Sequence, residues 1–218
     1  MLINYPHSLN VFLTKSCNLK CSYCFVNKEK SKVELKADSF KKGIDTFLRF
    51  PTLHKTISFN GGEPLLRFGK VKKLCQYSWH KNNGMAKLTV AVTTNGTLLS
   101  ENRYRFLKKN KIVLKISIDG KKNIHDLNRP FKQAGYGSSY ERIMNNVRHL
   151  CKDKGAGYKI CASLVFTPGT VGELLRNIKS LWRARFDYID FHPELYARWS
   201  PQELKKTESI FALFADFY

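Results

Sequence analysis

The sequence predicts an α/β fold built on a parallel sheet, and three observations predict it. Six apolar, β-rich segments alternate with amphipathic stretches along 218 residues. Helix-start signals stand between those segments, not within them. Four motifs of unlike composition, carrying Cys, Gly, Asn or Asp, each fall at the end of one of the first four segments. Such alternation calls for right-handed crossovers and a parallel sheet. Sheets of that kind hold their ligands at the carboxyl ends of the strands, so the four motifs are expected to share one rim.

The strands are expected at 9–14, 55–60, 87–94, 113–119, 159–166 and 188–193. Between the first two, Phe40, Ile44, Phe47 and Leu48 recur at helical spacing. Lys70, Lys72 and Lys73 open the next helix, and Lys108, Lys109 and Lys111 close another, where basic residues meet the negative end of the helix dipole. Tyr140, Ile143, Val147 and Leu150 mark the helix before the fifth strand; Val171, Leu174, Leu175, Ile178 and Leu181 mark the one after it. Capping-box spacing at Thr170-x-x-Glu173 and at Ser200-x-x-Glu203, the second with Pro201 at the first helical position, sets the starts of the last two helices. Phe211, Phe214 and Phe217 lie on the last. Residues 120–138, with Arg129-Pro130 and Gly135-Tyr136-Gly137, read as the longest irregular stretch and as a loop over the site. Residues 1–218 are expected to form a single domain, because the length suits one substantial core and is short for a complete eightfold barrel.

A hydrophobic content of 43% with 13% aromatic residues excludes a disordered chain. The start lacks the basic-then-apolar pattern of a signal peptide, and no apolar run is long enough to cross a bilayer, so a cytoplasmic location without a membrane is expected. Six cysteines fit that reducing setting: three are bunched, while Cys75, Cys151 and Cys161 sit in apolar patterns as small buried hydrophobes. The net charge of +21, from 38 Lys and Arg against 17 Asp and Glu, favours an acidic partner. Its bearers are dispersed, with Lys28, Lys30 and Lys32 just after the bunched cysteines, so nucleic-acid binding stays an alternative.

Cys17, Cys21 and Cys24 fall within eight residues, in Cys17-Asn18-Leu19-Lys20-Cys21-Ser22-Tyr23-Cys24. Three thiolates on one loop can converge on one metal centre. On a four-iron cluster they leave one iron without a protein ligand. A zinc knuckle or a redox-sensing thiol cluster would use similar residues, but a zinc site closes with a fourth Cys or His, and none lies near this loop in sequence, so that alternative needs His7 or a remote His to complete it.

The Cys-x3-Cys-x2-Cys spacing, with an aromatic residue before the last cysteine, resembles the cluster loop of the radical S-adenosylmethionine (radical SAM) enzymes. The likeness extends through Gly61-Gly62-Glu63-Pro64, Thr93-Thr94-Asn95-Gly96 and Ser117-Ile118-Asp119-Gly120. It implies a partial (β/α)6 TIM-like barrel whose open side admits large substrates. It also implies a [4Fe-4S] cluster on Cys17, Cys21 and Cys24, S-adenosyl-L-methionine on the open iron, and an external electron donor such as flavodoxin or ferredoxin. One-electron reduction of the sulfonium would then release methionine and a 5′-deoxyadenosyl radical that takes hydrogen from a substrate.

The same resemblance places Gly61 and Gly62 at the methionyl ammonium, with Glu63 as an acceptor; an ordinary turn would account for these glycines equally. Ser117 and Asp119 alternate onto one strand face, with Ser117 near the cofactor and Arg129 against its carboxylate, a task suited to a planar guanidinium. Tyr23 resembles the ring that packs on adenine. Thr94 and Asn95 are candidates for the ribose, although Asn95-Gly96 is also a turn signal. Ser163 and Val165 share the face expected to wall the adenine. His192, a lone His at a strand end, is given no catalytic role.

Within the family, Ser117-Ile118-Asp119-Gly120-Lys121-Lys122 through His125, Asp126 and Arg129 looks most like peptide- and protein-modifying members, the sulfatase-maturating enzymes and ribosomal-peptide maturases. The cysteine-rich C-terminal domain of many such relatives is not matched, since no cysteine follows Cys161. A peptide or protein substrate is therefore expected, with an acidic segment meeting Lys121, Lys122, Arg129 and Lys132. An RNA-modifying radical enzyme and a non-catalytic iron–sulfur sensing module are the alternatives.

Overall fold

The computed structural model describes residues 5–28, 36–152, 155 and 157–215. Six strands, β1 (Ser8–Phe12), β2 (His54–Asn60), β3 (Lys87–Thr94), β4 (Val113–Ser117), β5 (Ile160–Phe166) and β6 (Tyr188–Pro193), form one sheet in sequence order. Every neighbouring pair is parallel. The helices are α1 (Phe25–Lys28), α2 (Ala37–Leu48), α3 (Phe68–Asn82), α4 (Glu101–Lys109), α5 (Lys122–Asn128), α6 (Ser139–Lys152), α7 (Leu174–Arg183) and α8 (Pro201–Ala215).

The strands carry two kinds of face. One row is apolar and fully buried: Ile57 and Phe59, Val92, Leu114 and Ile116, Ile160 and Leu164. It joins Ile44, Phe47, Val71, Leu107, Ile143, Val147 and Leu174 of the helices in one core. Burying a side chain such as Phe59 stabilises by about 1.5–3 kcal/mol. The other row is small and polar, with Asn10, Asn60, Thr93, Ser117 and Ser163, and these residues line a single cavity together with His192 of β6. Buried parallel strands ordinarily read as continuous apolar runs; the polar row here is what keeps the interior open. Because all six strands contribute to one cavity and no pairing joins β6 to β1 among the described residues, the sheet is a partial (β/α)6 barrel.

Two expectations are corrected. The first concerns residues 120–138, which are not irregular throughout, because α5 occupies Lys122–Asn128. His125 and Asn128, three apart, are both buried and give that short helix an inner face. The second concerns the cap before α7, which forms one turn earlier than Thr170-x-x-Glu173. Thr167 and Thr170 make the reciprocal bonds, and Pro168 opens a 3-10 turn over Pro168–Glu173. The Ser200–Glu203 box stands as expected, with Ser200 N donating to Glu203 Oε2 at 2.7 Å. Cys75 and Cys161 are buried hydrophobes. The side chains of Lys28, Cys151 and Phe214, and residues Lys30, Lys32 and Phe217, lie outside the described residues. Among the described residues no helix is long and apolar enough to cross a membrane.

Candidate functional site

The cavity at the carboxyl ends of the strands has a volume of about 460 Å³. Cys17, Cys21 and Cys24 line it, as do Tyr23, Gly61 and Gly62. Thr94 at the end of β3 and Asn95 after it, Ser117 of β4, Arg129, and Ser163 and Val165 of β5 complete the wall expected from the sequence. Two candidates do not reach it: Glu63 and Asp119 have no exposed surface and lie beneath the rim.

The cysteine loop is held by neighbours on both sides. On one side, Gly62 N donates to Thr14 O at 2.7 Å and Glu63 N to Ser16 O at 2.8 Å. A Cβ on Gly61, whose φ is +124°, would stand 2.5 Å from Thr14 O, and one on Gly62 would stand 2.2 Å from Ser16 O. These glycines therefore admit the chain's own backbone at the base of the loop. On the other side, Lys20 N donates to Pro130 O and Ser22 N to Asn128 O, each at 2.9 Å, and Lys132 N to Asn18 O at 2.9 Å. An antiparallel bridge between Leu19 and Phe131 completes this clip. The side chains of Asn18, Asn95 and Thr97 add a third tie: Asn95 Nδ2 donates to Asn18 Oδ1 at 2.9 Å, and Asn18 Nδ2 to Thr97 Oγ1 at 2.8 Å.

Beneath the rim, the two buried carboxylates are satisfied differently. Glu63 accepts from Thr94 Oγ1 at 2.6 Å, Asn95 N at 2.7 Å and Leu65 N at 2.8 Å, joining the turns after β2 and β3. Burial pushes its carboxyl above the ordinary value despite these bonds. Asp119 accepts from Tyr23 Oη and from Val165 N at 3.1 Å, and pairs with Arg129 Nη2 at 3.0 Å. The Arg129 guanidinium also lies 5.1 Å from the Tyr23 ring centroid, covering a face of the ring expected to meet adenine. His125 Nδ1 accepts from Asp119 N at 3.2 Å, and burial pulls this imidazole down to about 4.

The donor set fits an iron–sulfur cluster. The three cysteines are free thiols on one cavity wall. Burial raises Cys17 and raises Cys21 to about 11, the Arg129 charge opposing the latter. Leu19 N and Asn95 Nδ2 point at Cys17 Sγ, at 3.4 and 3.7 Å; N–H donors on thiolate sulfur are a device by which proteins tune such clusters. Among the described residues no group of three Cys, His, Asp or Glu side chains is arranged to hold a single ion. A cluster asks for something else, each thiolate on its own iron. Arg129 lines the cavity with its Nε buried and, among the described residues, without a hydrogen-bond partner, which suits an anionic group beside the thiols.

Several contributors were missed in the sequence. Asn18, Thr97 and Asn128 carry no motif of their own, and His125 stands only in the stretch that carries the family resemblance; the three-residue spacing of His125 and Asn128 is the one local signal of an inward helical face. Asp190 and His192 of β6 sit two apart on one strand face, a signal present in the sequence. The cations expected to meet an acidic segment do not form one open patch: Arg129 is buried on Asp119, Lys122 Nζ lies 2.6 Å from Glu141, and Lys121 Nζ lies 3.7 Å from Glu173.

A model of the radical SAM superfamily matches residues 11–181. The cysteine-type anaerobic sulfatase-maturating enzyme of Clostridium perfringens is 33% identical over 126 residues, 53% of this chain and 33% of the enzyme. The Clostridium novyi enzyme of the same description is 28% identical over 197 residues, 87% of this chain and 51% of its own length. The solved structure of native anSMEcpe with bound AdoMet and Kp18Cys peptide superposes with a TM-score of 0.80 at 26% identity, covering 96% of this chain and 60% of that one. The chain thus spans about a third to a half of the length of these curated relatives.

Proposed function

Because the chain belongs to the radical SAM superfamily, we propose that residues 1–218 act as a single core domain that cleaves S-adenosylmethionine and modifies a peptide or protein substrate. The observation that carries this reading is the convergence of three free thiols, with N–H donors on Cys17, and the polar inner row of all six strands on one cavity. The cluster and S-adenosylmethionine, when bound, supply one-electron reductive cleavage of the sulfonium to methionine and a 5′-deoxyadenosyl radical.

The chain's own residues position these partners. Cys17, Cys21 and Cys24 hold the [4Fe-4S] cluster, and the clip to residues 128–132 sets their spacing. Arg129, anchored by Asp119, offers its remaining donors to the methionyl carboxylate, with Ser117 beside it. Gly61 and Gly62 expose backbone at the ammonium side. Thr94 and Asn95 close the ribose side, and Ser163 and Val165 wall the adenine. Glu63 and Asp119 work from beneath, keeping the turns in register. The open side between β1 and β6 admits the peptide, and an external one-electron donor such as flavodoxin or ferredoxin serves the cluster. The maturating-enzyme relatives and the peptide-bound neighbour support the substrate class.

The net charge of +21 favours a second reading, an RNA substrate. Anaerobic reconstitution is expected to give about four irons and four sulfides per chain, lost in the Cys17→Ala, Cys21→Ala, Cys24→Ala triple variant. The reduced protein is expected to release 5′-deoxyadenosine from S-adenosylmethionine. Clusters without deoxyadenosine would leave an iron–sulfur sensing module as the better account. An RNA affinity that falls steeply with salt would favour the second reading.

A further inference from the structure

Across β4 and β6, three charged or titratable side chains form a chain of contacts that the cluster site does not use, and its last member, His192, lines the cavity. Lys115 Nζ lies 2.9 Å from Asp190 Oδ2, and Asp190 Oδ1 lies 2.9 Å from His192 Nε2. The register explains how β4 reaches β6 across β5. Lys115 pairs with Cys161, Ser117 with Ser163, and Ser163 with Asp190, so the intervening β5 side chains are small enough for the lysine stem to pass. His192 lies two residues beyond Asp190 on the same strand face and lines the cavity.

The order of the contacts assigns the protons. The ammonium beside Asp190, together with His192, overcomes burial and holds that carboxyl below its ordinary value, so it is an acceptor on both oxygens. His192 Nε2 must then carry the hydrogen it donates to Asp190, and in the neutral ring Nδ1 is left as a lone pair. A carboxylate that fixes an imidazole tautomer and balances the charge formed on protonation is the arrangement general bases need.

We propose that His192 is a proton-accepting residue of the cavity, held by Asp190 and through it by Lys115, whose Nδ1 meets an N–H, O–H or S–H group of the bound substrate. The proposal rests on the reading that a peptide enters this cavity. In the step, the substrate's X–H bond breaks and its electron pair stays on the substrate. The proton joins Nδ1, and the imidazolium is balanced by Asp190, with no electron exchanged. The ring is 59% exposed, so the proton returns to water without a relay. Asp190 and Lys115 are positioning residues, and His192 is the group that touches substrate.

Two measurements test this. In the histidine-15N-labelled chain, neutral His192 is expected to show its proton on Nε2, and the Asp190→Ala variant to lose that preference; equal tautomer populations in both would overturn the alignment. The second measurement incubates the reduced holoenzyme with S-adenosylmethionine and a pool of synthetic dodecapeptides, and reads modified peptide per 5′-deoxyadenosine released. This ratio is expected to fall at least tenfold in His192→Gln and to recover in His192→Gly on adding imidazole, a response that mere loss of folded protein would not give. An unchanged ratio in His192→Gln would overturn the proposal and leave the peptide-modifying reading intact. Deoxyadenosine without any modified peptide from the wild type would overturn both.

Discussion

Glu63 and Asp119 are wholly buried carboxylates under the same rim, one between the turns after β2 and β3, the other between β4 and β5. They tie the rim by different means. Glu63 is met by neutral donors, a hydroxyl and two backbone N–H groups, and its carboxyl stays above the ordinary value. Asp119 is met by a guanidinium that is itself buried, so each charge depends on the other. A neutral cage can lose a member and keep its charge count, whereas an ion pair that loses a member strands a charge. The half of the rim that carries Arg129 should therefore be the more fragile.

Four outcomes would sharpen or break that contrast. The largest effect is expected from Asp119→Ala, which leaves Arg129 without its counter-charge and should cost about 3–5 kcal/mol in urea unfolding. Combining it with Arg129→Met should recover much of that loss, and a single-variant cost below about 1 kcal/mol would undo the comparison.

Next in size is the acid response of His125, lowered from 6.5 to about 4 by burial. Between these values the unfolded chain binds the proton and the folded chain does not, so stability falls as pH drops from 6.5 toward 4, by about 3 kcal/mol in all, and levels off below. His125→Gln should flatten that slope. The Glu63 side responds with the opposite sign: a carboxyl raised in the fold keeps its proton longer than in the unfolded chain, so it favours folding at low pH and loses that contribution as pH rises above 4.5.

Third, Glu63→Gln keeps an acceptor but gives up the second carboxylate oxygen, and should cost about 1–2 kcal/mol. A cost matching that of Asp119→Ala would show that charge pairing is not what separates the two halves. The smallest effect is expected from Lys122→Ala, whose exposed pair with Glu141 should leave the unfolding midpoint where it was.

What the sequence made legible follows the same division. Apolar periodicity placed all six strands to within two residues at each end, because the outward rows of β2, β4 and β5 face the helices and must be apolar. The three cysteines, Gly61, Gly62 and Arg129 were legible as motifs. Which group each would touch was not. Gly61 and Gly62 looked open to a ligand, yet the first atoms they admit belong to Thr14 and Ser16. Tyr23 looked like a stacking ring, yet one face belongs to Arg129. Asn95 looked aimed at a ligand, but its amide is engaged by Asn18 and Cys17. Such contacts join residues about 50–100 positions apart, and no local pattern encodes them. Helix α5 was hidden for a related reason: its inner face is polar, built on His125 and Asn128, so apolar spacing did not reveal it.

The backbone clip between the cysteine loop and residues 128–132 sets a timetable for biogenesis. Lys20 and Ser22 take their hydrogen-bond partners from Pro130 and Asn128, residues made more than 100 positions later. At ribosomal rates of about 5–20 residues per second, the thiols spend on the order of 5–20 s outside the exit tunnel before their frame exists. During that interval they are a loose trio, open to stray metal and to oxidants. Nascent chains arrested before Pro130 should therefore bind zinc as readily as iron and oxidise readily, and chains arrested beyond α6 should not. The three thiols gain their fixed spacing only once the wall as far as Pro130 has been made.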